Sequence, residues 1–313
     1  MINTKNAAGH PFAVGGHRGL GCTDHDFYQP LRDIAALPVE NTVESVKAAF
    51  AAGADYVEID AVMSADGEIF TLHNVVPADH FFGAAPAGHL NTLPFAEIQK
   101  FKTGRHANGR IAPLSETLAL IAAASPKTLP WDVNIEIKGV QGSGQPLEAN
   151  DFTNRLAAVV QASPVPPARV LFSSFALHNI IAMSQVLPQA QYGMLFGEKP
   201  ESSPIYADRR EDFACRYQPY HPAALEAVLA AWQGKTAQGA PQGAALSYVH
   251  PEFATLTPDS IMMAQARGLG INSWALFEEM TPARKAAYMR IHDICESEGV
   301  PFTVITDYID AFR

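Results

Sequence analysis

Short runs rich in β-branched and aromatic residues alternate along this chain with longer, alanine-rich stretches of helical period. Such alternation is typical of repeated βα units around a parallel sheet. Eight strands are predicted, near residues 12–16, 56–62, 133–138, 169–173, 191–196, 244–248, 270–275 and 301–306. Because barrels of this kind routinely reach 313 residues as one unit, we predict an α/β (β/α)₈ barrel in a single domain over residues 1–313.

Capping signals and two long interruptions refine this prediction. Caps and terminal glycines predict helices over residues 41–53 and 257–268. Residues 20–39 enlarge the first βα loop, and residues 74–113 form an insertion after the second strand. Long connections in compact domains are usually functional or disordered, and loops that follow barrel strands lie at the carboxyl-terminal face. We therefore predict that both segments lie over the mouth of the barrel and narrow it.

Composition excludes several classes of partner. The formal charge of -10 disfavours nucleic acid and anionic membranes, which both reward a basic patch. For an anionic substrate, a bound divalent cation is the simplest source of compensating charge. No C-x-x-C motif is formed by Cys22, Cys215 and Cys295, so we expect no zinc knuckle or disulfide framework. A single disulfide bond between two of them stays as an alternative. No apolar run reaches the roughly 18 residues of a membrane span. A cytoplasmic location is expected, or a periplasmic one if a leader was removed.

Glu58 and Asp60 form the densest polar pair on a predicted strand. Residues two apart on a strand point to the same side, which in a barrel can be the interior. Two buried carboxylates repel each other, so a metal ion, a shared proton or a paired Lys or Arg is expected nearby. Oxygen ligands suit Mg²⁺ or Ca²⁺. The alternative is a surface strand with a solvated polar face, which the apolar neighbours disfavour.

Glu136 and Lys138 repeat this spacing on the next strand, with opposite charges. Taken alone they are as compatible with a self-neutralising ion pair as with a functional site. Beside Glu58 and Asp60, however, Glu136 supplies a third carboxylate for a partial metal cage. Lys138 would then offer its charge to a phosphate oxygen.

His17, Arg18 and His73 lie where predicted strands deliver residues to the carboxyl-terminal face. A lone histidine is more often structural than catalytic, but this position favours a functional role. An arginine beside one of them suits a phosphate group through its bidentate fork. Glu40 precedes the first helix and is not needed for its cap.

These motifs occur in one order along the chain, and each is short. They are His17-Arg18-Gly19, Glu40-Asn41-Thr42, Glu58-Ile59-Asp60, Asp66-Gly67, His73 and Glu136-Ile137-Lys138, with weaker matches at Ser173-Ser174-Phe175, Asn272-Ser273-Trp274 and Thr306-Asp307-Tyr308. The ordered set resembles the glycerophosphodiester phosphodiesterases. The resemblance implies a phosphodiesterase-type TIM barrel, with the segment after His73 as the insertion of the family.

The resemblance also implies roles for individual residues. Glu58, Asp60 and Glu136 match the ligands of one divalent cation, Mg²⁺ or Ca²⁺, and Glu40 is a further candidate ligand. His17 and His73 match the general base and acid. Arg18 and Lys138 match the groups that hold the phosphate. The implied activity is hydrolysis of small glycerophosphodiesters to glycerol 3-phosphate and an alcohol, within glycerol and lipid metabolism.

Three departures from the family pattern bear on the substrate. Asn74 replaces the usual Asp after the second His, the first loop is enlarged and carries His25 and Asp26, and residues 309–313 leave room only for a turn. Two alternatives stay open. One is a phospholipase-type barrel that cleaves a lysophospholipid or phosphoinositide, with Phe81-Phe82 and Phe27-Tyr28 as an apolar platform. The other is a catalytically inactive barrel used for binding.

Overall fold

A computed structural model describes residues 11–21, 23, 33–73, 88–104, 109–138, 149–197, 220–236, 245–275 and 280–312. The strands in these ranges are β1 (Ala13–Gly16), β2 (Tyr56–Met63), β3 (Ile69–Thr71), β4 (Lys102–Thr103), β5 (Gly109–Arg110), β6 (Val133–Ile137), β7 (Val170–Ser174), β8 (Gln191–Phe196), β9 (Leu246–Pro251), β10 (Gly270–Ala275) and β11 (Phe302–Thr306). The α-helices are α1 (Val43–Ala51), α2 (Phe95–Ile98), α3 (Leu114–Ala124), α4 (Ala149–Ala162), α5 (Leu177–Val186), α6 (Pro222–Thr236), α7 (Pro258–Ala266) and α8 (Pro282–Ser297).

Eight parallel strands close into a barrel. The sheet runs in the order β1-β11-β10-β9-β8-β7-β6-β2, and pairing of β1 with β2 closes it. This confirms the predicted (β/α)₈ barrel and its eight strands. The sixth strand lies furthest from its prediction, at Leu246–Pro251 instead of 244–248. Pro251 is a weak strand former alone, but β8 pairs in register with β9 as far as Pro251.

The two helices predicted from their caps are also confirmed. Thr42 caps α1 by accepting a hydrogen bond from the Ser45 amide at 3.2 Å. Thr257 caps α7 in a reciprocal box with Ser260. Gly53 and Gly268 follow these helices in the left-handed region, at φ of 85° and 67°, where a residue without Cβ avoids strain. Within the part of the chain that the structure describes, no helix is both long enough and apolar enough to cross a bilayer.

The described part of the insertion packs beyond the carboxyl end of β2. It contains a 3₁₀ helix at Leu90–Thr92, α2 and the antiparallel hairpin of β4 and β5. Its apolar residues form a small second core with the end of the β2-β3 hairpin; this core contains Val62, Phe70, Leu72, Leu90, Ile98 and Ile111. The Phe95 amide donates to Asp66 Oδ1 at 2.9 Å. These contacts hold the insertion to the hairpin. Residues 74–87 lie outside the described ranges.

Large side chains fill the barrel interior where small residues on neighbouring strands leave room. The Tyr56 ring lies against Gly15, and His250 lies against Gly193; at either glycine a Cβ would overlap the neighbouring ring. Tyr56 Oη donates to Asn272 Oδ1 at 2.5 Å across the interior, between strands that are not neighbours in the sheet. This contact identifies Tyr56 and Asn272 as inward-facing. Strand alternation then turns Glu58, Asp60 and Trp274 inward as well.

Candidate active site

Polar residues from four strands meet at the carboxyl-terminal end of the barrel. His17 directly follows β1 and Asp307 directly follows β11, while the acidic residues of β2 and β6 lie alongside by register. The set comprises His17, Glu58, Asp60, Glu136, Lys138 and Asp307. In a barrel of parallel strands this end is where residues from separate strands can converge on one ligand.

Glu58, Asp60 and Glu136 form a compact acidic cluster. Asp60 pairs in register with Glu136, and Glu58 lies two residues earlier on the same inward face. One oxygen from each carboxylate lies within 4.8 Å of the others. Glu58 and Asp60 are buried, and Glu136 is nearly so. Oxygen atoms at this separation can share one cation. The structure therefore brings together the three residues predicted as metal ligands.

Two basic side chains lie against this acidic cluster. Lys138 Nζ lies 2.9 Å from Asp60 Oδ1 and 2.8 Å from Glu136 Oε1. Arg18 Nη1 lies 2.5 Å from Glu40 Oε1, and Arg18 Nε lies 3.5 Å from Asp60 Oδ2. With Glu40 included, four carboxylates face two cations at this site. If all are ionised, two negative charges remain, which one divalent cation would balance.

Burial and neighbouring charges move the pKa values of these carboxyl groups apart. Burial raises the pKa of Glu58 well above its usual value, and repulsion from Asp60 and Glu136 adds to the rise. Burial and Asp60 likewise raise the pKa of Glu136, although Lys138 opposes the change. Burial also acts on Asp60, but Lys138 and Arg18 outweigh it and lower the pKa of that carboxyl. Glu58 is thus the least compensated acid of the cluster.

The hydrogen bonds of Glu58 fit a cation position. Glu58 Oε2 accepts from the Arg18 backbone amide at 3.0 Å. Glu58 Oε1 is buried and accepts no hydrogen bond from any residue in the described ranges. A buried carboxylate oxygen without a partner is costly, and a metal ion would satisfy it. The donor set therefore fits Mg²⁺ or Ca²⁺ on chemical grounds.

Unusual backbone conformations position the residues around this cluster. Arg18 and Asn41 both lie in the left-handed region, at φ of 49° and 56°. The Arg18 carbonyl accepts from the Asn41 amide at 2.9 Å, which joins the two turns. Asn41 Nδ2 then donates to Asp60 Oδ2 at 2.7 Å, and its Oδ1 accepts from the Asp60 amide at 3.0 Å. Such conformations are sparsely populated for residues other than glycine and persist where the surroundings enforce them.

Glu40 uses both of its oxygens within the protein. Oε1 accepts from Arg18, and Oε2 accepts from the Thr23 amide at 2.7 Å. Thr23 Oγ1 in turn accepts from the Glu40 amide at 3.0 Å. Thr23 belongs to the enlarged first loop, so this pair ties that loop to the rim of the acidic cluster. Glu40 lies outside the three-carboxylate group.

The two histidines occupy different surroundings. His17 is buried, and its Nδ1 lies 2.7 Å from Oδ1 of the fully buried Asp307. This contact fixes the orientation of the His17 ring and leaves Nε2 as the nitrogen that does not contact Asp307. His73 is half-buried and follows β3, which runs antiparallel to β2. The Leu72 amide donates to the Asp60 carbonyl at 3.2 Å, so His73 leaves the hairpin beside the acidic strand.

Asp307 and Asn41 occur in the sequence motifs without an assigned role, and Thr23 occurs in none of these motifs. Asp307 was visible as a carboxylate directly after the last barrel strand, which closure of the barrel brings beside the first strand. Asn41 lies at the start of the first predicted helix, where its residue type favours a capping role, and nothing in the sequence marks Thr23. Several predicted features lie outside the described residues: His25, Asp26, Phe27-Tyr28, Asn74, Phe81-Phe82, Cys22 and Cys215. Cys295 is buried and unbridged.

Comparison with known proteins agrees with the ordered motifs. A family model described as "Glycerophosphoryl diester phosphodiesterase family" matches residues 17–311. A curated glycerophosphodiester phosphodiesterase from Caldanaerobacter subterraneus subsp. tengcongensis is 27% identical over 162 residues. That match covers 50% of this chain and 61% of the relative, so the chain spans about three-fifths of the length of that protein.

Solved structures share the fold at low sequence identity. A glycerophosphoryl diester phosphodiesterase structure from Silicibacter pomeroyi is 20% identical, with a TM-score of 0.66 and coverage of 99% of this chain and 95% of that one. A phosphodiesterase from Oleispira antarctica, solved with the product sn-glycerol-3-phosphate, is 17% identical with a TM-score of 0.64. That alignment covers 96% of this chain and 94% of the other. At these identities the likeness supports the barrel fold.

Proposed function

This chain belongs to the glycerophosphoryl diester phosphodiesterase family, and we propose that it hydrolyses glycerophosphodiesters to glycerol 3-phosphate and an alcohol in a metal-dependent reaction. The observation that carries the proposal is the acidic cluster of Glu58, Asp60 and Glu136, whose ligand oxygens lie within 4.8 Å of one another and in which Glu58 Oε1 is buried without a hydrogen bond from any described residue. We further propose that residues 1–313 form one such domain, with residues 74–113 as its insertion.

Glu58, Asp60 and Glu136 would hold one Mg²⁺ or Ca²⁺ ion. When bound, the ion would supply a positive charge that reduces the repulsion between a phosphodiester anion and its nucleophile. Lys138 lies against two of these carboxylates, and Arg18 lies against a third residue, Glu40. Both cations are thus kept at the rim of the cluster, where we assign them to the phosphate oxygens and the charge that develops on them.

Glu40 fits better as a positioning residue than as a metal ligand. Its two oxygens accept hydrogen bonds from Arg18 and Thr23. A carboxylate engaged in this way orients the guanidinium of Arg18 and leaves less capacity for a cation. We therefore assign Glu40 to holding Arg18 in place for the phosphate.

His17 is assigned as the general base and His73 as the general acid. Asp307 accepts a hydrogen bond from protonated His17 Nδ1, so Nε2 is the nitrogen that takes a proton from the nucleophile. The negative charge of Asp307 also stabilises the cationic ring that results, as the carboxylate does in a serine protease triad. His73 then donates a proton to the leaving alcohol oxygen. Water and the neighbouring glycerol hydroxyl are both chemically competent nucleophiles.

The direct test is turnover of glycerophosphocholine by the full chain before and after removal of divalent ions by a chelator. We expect release of glycerol 3-phosphate and choline, loss of release after chelation, and recovery when Mg²⁺ or Ca²⁺ is returned. Turnover that survives complete chelation would contradict metal dependence. Release of phosphocholine and glycerol instead would contradict the assigned bond, and no release from a panel of diesters and lysolipids would contradict the proposed function.

A further inference from the structure

The barrel mouth has a second side whose residues the proposed mechanism does not use. β7, β8, β9 and β10 are consecutive neighbours in the sheet and lie opposite the junction of β1 and β2. At their carboxyl ends they carry Phe175, Gly197, Glu252 and Trp274, respectively. Trp274 shares the inward alternation of Asn272, whose amide oxygen accepts from Tyr56 across the interior. Glu252 pairs in register with Trp274 through a parallel bridge, so both side chains lie on the same face.

Phe175 and Trp274 touch across this side of the mouth. Their ring centroids lie 6.0 Å apart in an edge-to-face arrangement, although β7 and β10 are not neighbours in the sheet. Gly197 makes this possible, because a Cβ there would overlap the Trp274 ring. Trp274 Nε1 donates to the His250 carbonyl at 2.9 Å, which fixes the orientation of the indole. The two rings and Glu252 form what we call the aromatic wall.

Each residue of the aromatic wall keeps accessible surface. Phe175, Glu252 and Trp274 are half-buried, whereas the rings deeper in the barrel, such as Tyr56 and Trp131, are almost fully buried. The faces of aromatic rings carry partial negative charge and attract organic cations, and Trp is the strongest of them. The carboxylate of Glu252, on the same face, also attracts a cation. The chain as a whole has a formal charge of -10, which also favours a cationic ligand.

We propose that the aromatic wall receives the ammonium group of the alcohol half of the substrate, so that diesters of cationic amino alcohols are preferred over diesters of neutral alcohols. This inference rests on the proposed function, and it divides the mouth into two parts. The acidic cluster and the two histidines act on the phosphate. Phe175, Glu252 and Trp274 select the leaving alcohol by its charge.

A matched pair of substrates isolates the charge. One is glycerophosphocholine, and the other is its uncharged analogue in which a tert-butyl group replaces the trimethylammonium group. The two esters have nearly the same shape, so the ratio of their kcat/KM values reports recognition of the positive charge. Because a cation over an aromatic face contributes about 0.5 to 2 kcal/mol, we expect the wild-type protein to prefer the choline ester by about 2- to 30-fold.

Substitutions in the aromatic wall should reduce that preference. In Trp274→Leu and Glu252→Gln the ratio of kcat/KM for the choline ester to kcat/KM for the uncharged ester should fall toward one, beyond any loss that the two esters share. Trp274→Phe keeps an aromatic face, so it should keep much of the preference and serves as the variant least disruptive to packing. Glu296→Gln is the matched control, because Glu296 is exposed near the end of α8 and the change in charge is the same.

The outcomes separate this inference from the proposed function. Cleavage of both esters at equal kcat/KM by the wild-type protein would overturn the inference and leave the phosphodiesterase proposal intact. Equal losses on both esters in Trp274→Leu and Trp274→Phe would assign the indole to packing or to the glycerol half, and would also overturn it. Failure of the wild-type protein to cleave either ester would count against the proposed function itself.

Discussion

The side of the barrel mouth formed by β1, β2 and β6 is dense in charge, whereas the described residues on the side formed by β7 to β10 include a pair of aromatic rings. On the first side, three carboxylates lie so close together that burial and mutual repulsion raise the pKa of Glu58. On the second side, Phe175 and Trp274 meet edge to face and keep accessible surface. We therefore expect substitutions on the charged side to reduce turnover of every diester, and substitutions in the aromatic wall to change the preference among diesters of different alcohols.

The largest effect should come from Glu58, the least compensated carboxylate of the cluster. Glu58→Gln removes a proposed ligand with little change of shape. We expect kcat/KM to fall by about 10⁴-fold for charged and uncharged esters alike, because metal charge stabilisation contributes several kcal/mol. Calorimetric titration with Mg²⁺ and Ca²⁺ should show weaker binding. Glu116→Gln, in an exposed ion pair, is the control. Unchanged metal affinity in Glu58→Gln would contradict the assignment of Glu58 as a metal ligand.

The histidines should follow, with losses of about 10²- to 10⁴-fold for His17→Ala and for His73→Ala. The rate losses of the two variants should differ when the leaving group is changed. An ester with a p-nitrophenol leaving group needs little protonation, so His73→Ala should recover much of its rate on it, whereas His17→Ala should not. Circular dichroism would verify folding. A well-folded His73→Ala with near wild-type turnover of glycerophosphocholine would remove it from the mechanism and make His25, in the first loop, the next residue to test.

Asp307→Asn should cost no more than the loss of His17 itself, at most about 10²- to 10⁴-fold in kcat, because the carboxylate acts only through the imidazole that it orients. The asparagine side chain can present its amide group to Nδ1 and so favour the wrong tautomer of His17. Because the defect concerns the base, we expect equal losses on choline and p-nitrophenol esters, with little change in KM. A rise in KM with unchanged kcat would instead assign Asp307 to substrate binding or packing.

A smaller effect concerns pH and metal affinity. The pKa values of Glu58 and Glu136 are raised in the metal-free protein, so these groups retain protons at a pH where ordinary carboxyl groups have lost them. A cation must displace those protons, so its apparent affinity should weaken as pH falls through the raised pKa values, by up to about tenfold per pH unit for each proton released. Calorimetry in buffers of different ionisation enthalpy would measure the release. Affinity independent of pH would contradict this account.

The smallest effect should come from Glu40→Gln. If Glu40 holds Arg18 for the phosphate, we expect KM to rise by no more than about tenfold, because one charge-assisted hydrogen bond is weakened rather than a ligand removed. Metal affinity should stay at the wild-type value. A parallel loss of metal affinity would instead make Glu40 a fourth ligand, as the resemblance to the family first indicated.

Much of this protein follows from local patterns in its sequence. Strand alternation places Glu58 and Asp60 on one face whatever the rest of the chain does, because successive side chains on a strand point to opposite sides. The starts of α1 and α7 follow from Thr42 and Thr257, since a cap needs only the amides of its own first turn. The ordered short motifs are enough to indicate the family that the family model then shows.

Only the tertiary structure decided which distant residues meet. His17 and Asp307 are 290 positions apart and come within 2.7 Å because the barrel closes β1 onto β11. The same closure lets Phe175 reach Trp274 across two intervening strands. Asn41, which local rules favour as a helix cap, instead turns to Asp60 because the Arg18 and Asn41 turns pack together. Local periodicity sets the face a side chain takes, but its partner depends on how the sheet curves and closes, which no short stretch of sequence encodes.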